Sequence, residues 1–559
     1  NECFVKRLVE VCSPSISNLD PQCWEPTRTE AALIRVWGED FRQRFCCDTL
    51  SSSLVAAGAV LVYLEETQMA TPLHVTDLVP YKVNSYMLLD TYTRRNLELT
   101  RTLREGKAEG SLLWVLDLTV TAMGGRLLRQ WLEQPLCSPG EINRRLDAVE
   151  ELVRRERMRF EIRRLLRQIP DLERLLGKVV YGTATPKDLA SLRAGTNVLP
   201  GIAKKIADLE AVPKYVGEFS PLSDLETLLV KALVAEPPVS SRDGGLIQPG
   251  YDLEIDKLRA LAQSGRQWVA ELEARERERT GIKSLKVGYN KVFGYYIEIT
   301  RSNLDNVPED YIRRQTLVGA ERFITPELKE REGSILSAQE RLKELEQELF
   351  RQLCQEVVAR ARSIRATAQA LARLDVLATL AEVAVKRGYV RPEVTRGQVL
   401  QLTESRHPVV ESLRPDTSFV PNDVYLDAED SRFILLTGPN MAGKSTYIRQ
   451  VALAVLMAQM GSFVPAKEGT VGVVDRIFTR VGASDDLAAG DSTFMVEMRE
   501  VAAILDQASP DSLLILDEIG RGTGTADGLS IAWSVMEYIA DPALLGARAL
   551  FATHYHELV

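Results

Sequence analysis

The chain has 559 residues, a formal net charge of −9, and 45% apolar and 26% charged residues. These proportions are ordinary for a folded protein, and the length predicts several domains rather than one core. No apolar stretch is long enough to span a bilayer and no signal-peptide pattern opens the sequence, so we expect a cytoplasmic protein. The acidic balance excludes a chain coated in positive charge but leaves room for a local basic surface.

The first 77 residues hold most of the cysteines and have a mixed pattern. Five of the seven cysteines lie in the first 50 residues, none with C-x-x-C spacing, and the chain has only four histidines. This predicts neither a disulfide framework nor a zinc site. Residues 31–37 fit either a strand or a short helix, and we expect a small α/β unit here. Because the sequence begins at Asn1 rather than at a methionine, we also expect a further segment upstream.

From residue 80 to about residue 237, apolar residues recur at helical spacing. Residues 126–132 form one such stripe, which Pro135 ends. Two further stripes consist of Ile142, Leu146, Val149 and Leu152, and of Leu172, Leu175 and Leu176. We interpret all three as the packed faces of core helices.

Two long helices are predicted, one on each side of a module, residues 281–331, whose sequence pattern is not helical. The first runs from Asp252 towards Arg279, and the second runs from about Ile335 to Val385, where leucines recur at threes, fours and sevens. The stripe of the first helix consists of Leu258, Leu261, Trp268 and Leu272. The pattern predicts an antiparallel pair of helices that holds the module at its tip.

The module itself, residues 281–331, is rich in β-branched and aromatic residues and in turn glycines, so we expect a β-rich unit. Its nine Lys and Arg stand against seven Asp and Glu, which makes it mildly basic within an acidic chain. A solvated hairpin tip and a DNA contact are both compatible with that bias.

A phosphate-binding motif opens the C-terminal third, where short apolar strands alternate with helices in an α/β pattern. Residues 438–445 read Gly-Pro-Asn-Met-Ala-Gly-Lys-Ser, after a strand at 433–436 and before a helix predicted at 446–460. In this context Lys444 would reach the β- and γ-phosphates and Ser445 would bind Mg²⁺. The predicted cofactors are therefore ATP and Mg²⁺. The predicted nucleotide-binding residues are Gly438, Pro439, Asn440, Met441, Ala442, Gly443, Lys444, Ser445 and Thr446.

Two later strands end in residues that complete such a site. The apolar run 513–516 leads into Asp517 and Glu518. Asp517 would hold the magnesium shell, and Glu518 would be the general base that orients the attacking water. The run 549–552 leads to His554, which could sense the γ-phosphate. The alternative interpretations are a surface acidic pair and a packing histidine.

These motifs resemble those of the MutS family of DNA mismatch repair proteins. The matching stretches are residues 437–449, 492–498 (Ser-Thr-Phe-Met-Val-Glu-Met, similar to that family's form of the ABC signature), 516–523 and 551–555. Outside the ATPase, residues 121–129 resemble the family's core domain, and residues 285–296 and 314–329 resemble its clamp. The resemblance covers the chain from about residue 80, with residues 1–77 interpreted as the tail of a connector domain.

The resemblance implies roles for further residues. Ser492 would reach the γ-phosphate bound on the other subunit, Asn440 would help to sense that phosphate, and Phe419 would pack on adenine. His554 would be the switch histidine. A clamp without a base-reading helix would touch DNA through phosphates. The candidate contacts are Lys286, Asn290, Lys291, Arg313 and Arg314.

The expected fold is a multidomain α and α/β protein. A helical core with long antiparallel lever helices carries a small β-rich clamp at their tip, and an ABC-type P-loop ATPase follows. The expected boundaries are 1–77 for the remainder of the connector, 78–278 and 335–392 for the core and lever helices, 279–334 for the clamp and 393–559 for the ATPase.

As a family member, the chain would use ATP to switch a DNA-encircling dimer between scanning, mismatch-bound and sliding states. Its partners would be double-stranded DNA with mismatches, a second copy of the chain and a repair factor of the MutL type, with no membrane. In a bacterium it would associate with the nucleoid.

Three other readings compete with this one. An ABC-type transport ATPase would carry Leu-Ser-Gly-Gly-Gln, which does not stand at 492–498. A relative with an appended nuclease usually lacks a module like 281–331. A clamp for recombination junctions that does not read mismatches remains open.

The sequence departs from the family pattern in three places. No Phe-x-Glu motif stands near the start, so we expect the mismatch-reading domain to be absent. The chain stops at Val559, before the family's dimer-stabilising helices. Gly524 stands where the family often has Ser.

Overall fold

The computed structural model describes residues 19–44, 51–68, 75, 78, 85–290, 294–414, 416, 419–439, 442–481 and 493–558. The described part of the first 77 residues is helical. It comprises a 3₁₀ turn at Pro21–Trp24, then α1 (Pro26–Trp37), α2 (Phe41–Arg44) and α3 (Ser52–Gln68). The expected α/β unit is therefore wrong for these described residues, and residues 31–37 belong to α1. Leu33 of α1 and Leu61 of α3 share a small apolar core, which organises the segment without a sheet.

A bundle of short helices follows the two-residue strand β1 (Leu88–Leu89). Its helices are α4 (Thr91–Asn96), α5 (Leu112–Leu116), α6 (Ala122–Glu133), α7 (Pro139–Arg154), α8 (Glu156–Leu166), α9 (Leu172–Val180), α10 (Pro186–Ala207), α11 (Ala211–Val216) and α12 (Ser223–Ala232). The predicted stripes on α7 and α9 are confirmed, because every one of their residues is buried. Helix α6 ends two residues before Pro135, as predicted.

The two long helices run antiparallel. Helix α13 (Leu253–Thr280) lies against α14 (Pro326–Ala359), and two ion pairs fix their direction. Arg275 is 2.5 Å from Glu327 near one end, while Arg259 is 3.2 Å from Glu346 towards the other. The predicted stripe on α13 is only partly correct, because Leu261 is 58% exposed whereas Leu272 is buried. Because α13 packs along one long helix, α14, it buries a narrower face than the apolar stripe in its sequence predicts.

The second long helix does not run unbroken from Ile335 to Val385. Helix α14 begins at Pro326, inside the predicted module 281–331, because the Thr325 hydroxyl accepts a hydrogen bond from the Leu328 N–H and caps the first turn. It ends at Ala359, and α15 (Ala361–Arg387) continues after Arg360. The Arg360 guanidinium reaches Asp224 of α12 at 2.7 Å, which fixes the chain at the break.

The module between the helices is the expected β-rich unit. Its four strands are β2 (Lys286–Asn290), β3 (Gly294–Thr300), β4 (Ile312–Thr316) and β5 (Ala320–Ile324), with a 3₁₀ turn at Arg301–Asn306. They pair antiparallel in the order β2-β3-β5-β4. Ile297, Ile299 and Phe323 are buried in one cluster with Leu272 of α13, so the sheet packs onto the helix pair.

Helix α15 runs through the helical core and carries a buried carboxyl group. Asp375 accepts hydrogen bonds from the Thr121 N–H at 2.8 Å, the Thr121 hydroxyl at 2.6 Å and the Val120 N–H at 3.1 Å. These bonds hold the chain where α6 begins. Burial raises the pKa of Asp375, and the bonds from Thr121 and Val120 oppose that rise.

In the C-terminal part, the described residues form two sheets. One mixed sheet consists of β6 (Glu393–Thr395), β7 (Leu400–Ser405), β8 (Asn422–Leu426) and β10 (Glu468–Gly472). Helix α16 (Pro408–Leu413) lies between β7 and β8 in the chain. The other sheet is parallel, in the order β1-β11-β12-β13-β9. Its strands are β9 (Phe433–Leu436), β11 (Arg476–Arg480), β12 (Leu513–Asp517) and β13 (Arg548–Ala552).

The described residues of this part also form α17 (Lys444–Gln459), α18 (Thr493–Gln507) and α19 (Thr525–Ala540), and a 3₁₀ turn lies at His556–Leu558. The predicted strands at 433–436, 513–516 and 549–552 are confirmed, and the helix predicted at 446–460 begins two residues earlier. No helix in the described ranges is long and apolar enough to cross a membrane.

Candidate active site

The glycine-rich loop lies between β9 and α17, as its sequence predicts. Gly438 has φ +143° and Gly443 has φ +94°, which are backbone conformations that glycine adopts without a steric penalty. Gly443 is the N-cap of α17, so the free N–H groups of the first helical turn face the loop. A helix N-terminus with such a loop attracts phosphate groups. Asn440 and Met441 lie outside the described residues.

The side chains at the start of α17 point to a polar site. The Lys444 ammonium group donates to the carbonyl oxygens of Gly438 at 2.5 Å and Pro439 at 3.1 Å, so it lies over the loop. Ser445 and Thr446 are half-buried and line a cavity of about 780 Å³. Ala442 and Gly443 are exposed.

Asp517 ends β12 and lines the same cavity. It is only 6% exposed, and its Oδ1 has no hydrogen-bond partner among the described residues. Burial raises the pKa of Asp517, while a side-chain hydrogen bond with Ser445 lowers it. A serine hydroxyl beside a carboxyl oxygen without a partner supplies the hard oxygen ligands that Mg²⁺ takes in phosphate-loop sites. The two side chains therefore fit a magnesium ion.

Glu518 follows directly and has an unusual backbone. Its φ of +56° is rare for a residue other than glycine, and its N–H donates to the Ala552 carbonyl at 2.9 Å. Its Oε1 lies 2.5 Å from Nε2 of His554, and its other oxygen accepts from Arg521. Burial alone would raise the pKa of Glu518, but the bonds from His554 and Arg521 outweigh it and lower the pKa.

The sheet order explains why these groups meet. Strands β12 and β13 are parallel neighbours, with Asp517 paired to Ala552 in the register. The residues that follow the two strands therefore leave the same edge of the sheet, and this brings the His554 side chain into contact with the Glu518 carboxyl group. The structure thus brings together Ser445, Asp517, Glu518 and His554, as the motif spacing suggested.

Of two other predicted site residues, the structure describes Phe419 but not Ser492. Phe419 is half-buried and precedes β8, whose Asp423 carbonyl accepts a hydrogen bond from the Tyr447 hydroxyl of α17 at 2.9 Å. That bond ties the segment after Phe419 to the first turn of α17. Ser492 lies outside the described residues, one position before α18 begins.

The cavity is also lined by residues that the sequence motifs did not predict. Residues of the segment 98–110, which belongs to the helical core, line one side of it together with His407. Arg449 also lines it, and its positive charge lowers the pKa of Asp517. Arg449 stands four residues after Ser445, and that helical spacing is the one signal by which the sequence could have shown it.

The candidate DNA-contacting residues do not form one cluster. Lys286 and Asn290 lie on β2, whereas Arg313 and Arg314 lie on β4, and these strands form opposite edges of the sheet. Arg313 lies 3.5 Å from Glu321 and is mostly exposed. Lys286 and Arg314 are exposed, and Lys291 lies outside the described residues.

A strand, a glycine-rich loop and a helix, with carboxylates at the end of another parallel strand of the same sheet, form the arrangement found in P-loop nucleotide-binding proteins. The chain belongs to the MutS family: the model of MutS domain III matches residues 92–381, and that of MutS domain V matches residues 434–559.

Curated proteins named DNA mismatch repair protein MutS are similar over most of the chain. The protein from Acetivibrio thermocellus is 55% identical over 506 residues, or 90% of this chain and 58% of the relative. That from Halothermothrix orenii is 55% identical over 516 residues, or 92% and 58%. That from Symbiobacterium thermophilum is 53% identical over 516 residues, or 92% and 59%. The chain thus spans less than two thirds of the length of these relatives.

Proposed function

We propose that the chain is part of a DNA mismatch repair protein that binds and hydrolyses ATP. The names of its relatives support the repair role. The observation that carries the ATPase role is the meeting of Asp517, Glu518 and His554 at the ends of two adjacent strands. Asp517 and Glu518 also share a cavity with Ser445 and Thr446 of the phosphate loop.

The loop and the first turn of α17 would hold the phosphates. Backbone N–H groups at the helix start supply positive partial charge. The Lys444 ammonium group already lies on the Gly438 and Pro439 carbonyls, within reach of the space that the loop encloses. It would contact the β- and γ-phosphates there.

Ser445 and Asp517 would hold Mg²⁺, which neutralises charge on the phosphates. The Ser445 hydroxyl would be a direct ligand, and the buried Asp517 carboxyl would fix the surrounding shell. Asp517 is well suited to this task because its Oδ1 has no other hydrogen-bond partner among the described residues. Phe419 would pack on the adenine, Asn440 would sense the γ-phosphate, and Ser492 would reach the nucleotide of a partner subunit.

Glu518 would act on the attacking water. Its lowered pKa keeps the carboxyl group ionised near neutral pH, so it can orient the water and accept a proton from it. His554 lies 2.5 Å from one carboxyl oxygen and would link the position of Glu518 to the γ-phosphate.

We further propose that ATP switches a DNA-encircling dimer between scanning, mismatch-bound and sliding states. The C-terminal end of α17 supports this coupling, because it is bonded to the helical core. The Gln459 side chain donates to the Leu136 carbonyl at 2.8 Å, and Arg145 of α7 donates to the Met460 carbonyl at 2.9 Å. In this proposal the helices α13 and α14 carry the motion to a DNA-contacting clamp, and a factor of the MutL type acts downstream.

The test is Glu518→Gln in the intact chain. The glutamine cannot accept a proton, so steady-state ATP hydrolysis should fall about 100-fold or more, the usual share of a general base. ATP affinity, measured by calorimetry with Mg²⁺, should stay within about threefold because the phosphate cradle is untouched. Glu557→Gln, three residues after His554 and exposed, is the matched control and should hydrolyse ATP normally.

A Glu518→Gln variant that hydrolyses ATP at the unsubstituted rate would refute the assignment of the base. Loss of ATP binding in the same variant would show that Glu518 belongs to the binding site rather than to the hydrolytic step.

A further inference from the structure

The loop that follows Glu518 is held in a strained form. Glu518 has φ +56° and Gly520 has φ +84°, so two of three consecutive residues lie in the left-handed region. Such a conformation of a glutamate persists only where its surroundings hold it. Gly520 also packs closely on the start of α19: a Cβ there would lie 2.4 Å from the Gly528 carbonyl oxygen.

Two side chains from other elements hold Gly520. The Glu497 Oε1 accepts a hydrogen bond from the Gly520 N–H at 2.6 Å. The Tyr555 hydroxyl donates to the Gly520 carbonyl at 3.0 Å. The backbone two residues after the proposed base is therefore held between helix α18, which carries Glu497, and the segment that carries His554.

The Glu497 carboxyl group is buried at its contact with Gly520. It is only 4% exposed, and a buried carboxyl group is costly unless it is hydrogen-bonded. Arg480 lies 3.8 Å from Glu497 and closer to Glu500, at 3.1 Å. The 2.6 Å bond to the Gly520 N–H is much shorter than the 3.8 Å contact with Arg480.

Helix α18 touches the same loop at a second point. A Cβ on Gly522 would lie 3.2 Å from the Cβ of Phe494, in the first turn of α18. Glu497 lies one turn further along the helix. A shift of α18 would therefore move the loop that begins at Glu518.

We propose that Glu497 is a positioning residue for hydrolysis: by holding Gly520 it keeps the Glu518 carboxyl group on His554, and it makes the hydrolytic rate depend on where α18 lies. This inference rests on the proposed ATPase function. Glu497 touches neither nucleotide nor water in this account and acts through the backbone alone.

The test compares three substitutions on α18. Glu497→Ala removes the acceptor and should lower kcat about tenfold or more, with the KM for ATP and the ATP affinity within about threefold. Glu497→Gln keeps an oxygen that can accept the Gly520 N–H, so it should restore kcat to within about threefold. Glu500→Ala removes a neighbouring half-buried carboxyl group that pairs with Arg480 but not with the loop, and it should keep kcat within about threefold.

Tyr555→Phe provides a second variant that removes only one hydroxyl group. It should lower kcat about fivefold, the equivalent of a hydrogen bond of about 1 kcal/mol, again without a change in ATP affinity. Because both side chains hold Gly520, Glu497→Ala and Tyr555→Phe together should cost less than the product of their separate effects. Circular dichroism melting checks that each variant is folded, and if Glu497→Ala is not, Tyr555→Phe decides.

A Glu497→Ala protein that is folded and keeps the kcat of Glu500→Ala would overturn the inference, as would an unchanged kcat in Tyr555→Phe when Glu497→Ala does not fold. An equal loss in Glu497→Gln and Glu497→Ala would also overturn it, since charge and not the hydrogen bond would then matter. Glu518→Gln run in parallel separates the two claims. Its hydrolysis at the unsubstituted rate would refute the assignment of Glu518 as the base and this inference with it, whereas a slow Glu518→Gln beside a normal Glu497→Ala would refute the inference alone.

Discussion

Two neighbouring glycines in α6 should respond in opposite ways to the same substitution. A Cβ on Gly124 would lie 2.3 Å from Oδ2 of Asp375 and 2.8 Å from its Cγ. Among the residues that the structure describes, a Cβ on Gly125 would meet only the Thr119 hydroxyl oxygen, at 3.3 Å. Gly124→Ala should therefore destabilise the fold, and Gly125→Ala should be neutral or slightly stabilising.

The magnitude follows from what holds Asp375 in place. Its carboxyl group cannot withdraw without giving up bonds from the Thr121 N–H, the Thr121 hydroxyl and the Val120 N–H. Losing two such bonds costs about 2–3 kcal/mol, overpacking adds about 1–3 kcal/mol, and the helix propensity of alanine returns about 1 kcal/mol. Gly124→Ala should thus lower the free energy of unfolding by about 2–5 kcal/mol, while Gly125→Ala should raise it by up to about 1 kcal/mol.

Urea unfolding followed by far-UV circular dichroism measures both effects against the unsubstituted chain. An Asp375→Ala background supplies the internal control, because Gly124→Ala should cost less once the opposing carboxyl group is gone. Equal midpoints for Gly124→Ala and Gly125→Ala would refute the reasoning, since Asp375 would then move without loss.

Three further predictions concern the site, the β module and acid stability. Lys444→Ala should weaken ATP binding at least about tenfold in calorimetry, because the phosphate loop loses its ammonium group. Lys286→Ala with Arg313→Ala should weaken binding to all duplexes alike and shallow the slope of log affinity against log salt by roughly one unit per lost contact. His407 is 7% exposed, and burial followed by the charge of Arg449 lowers its pKa from 6.5 to about 4. The stability due to its neutral ring is complete above pH 6.5 and is lost towards pH 4, by about 3 kcal/mol, and His407→Asn should remove that loss.

Each of these has a clear contrary result. Unchanged ATP affinity in Lys444→Ala would refute the phosphate-loop assignment, with the exposed Lys467→Ala as its control. If the double variant of Lys286 and Arg313 leaves the slope of log DNA affinity against log salt unchanged, these side chains do not contact DNA and the β module is a solvated tip. For His407→Asn, unfolding curves at pH 7 and pH 5 that shift as much as those of the unsubstituted chain would contradict the buried neutral ring.

The elements of the site were predictable because their signals are local. The glycine-rich loop, the strand before it and the helix after it lie within one short stretch of sequence. The acidic pair and the histidine each follow an apolar run, and parallel strands bring such ends to one edge of a sheet. Hence Asp517, Glu518 and His554 could be named from the sequence, although the 2.5 Å contact between Glu518 and His554 could not.

What the sequence did not show depends on distant partners. The leucine periodicity continues from α14 into α15, so it hides the break at Arg360, which contacts Asp224 136 positions earlier. Thr325 before Pro326 is a good helix start, but the sequence around it also favours a strand. Packing against α13 decides in favour of the helix. Glu497 looks like one residue of the motif 492–498, and only the fold shows that it reaches Gly520.

Helix α17 lies in the predicted ATPase unit, yet it shares an apolar core with helices of another predicted unit. Most of its residues are buried, in one continuous apolar core with α6, α7 and α15. Cutting the chain between residues 392 and 393 would remove α6, α7 and α15 and expose the apolar residues of α17 that they cover. Any ligand that binds at the start of α17 therefore stabilises the helical core as well, and its binding free energy should raise the melting temperature of both parts together.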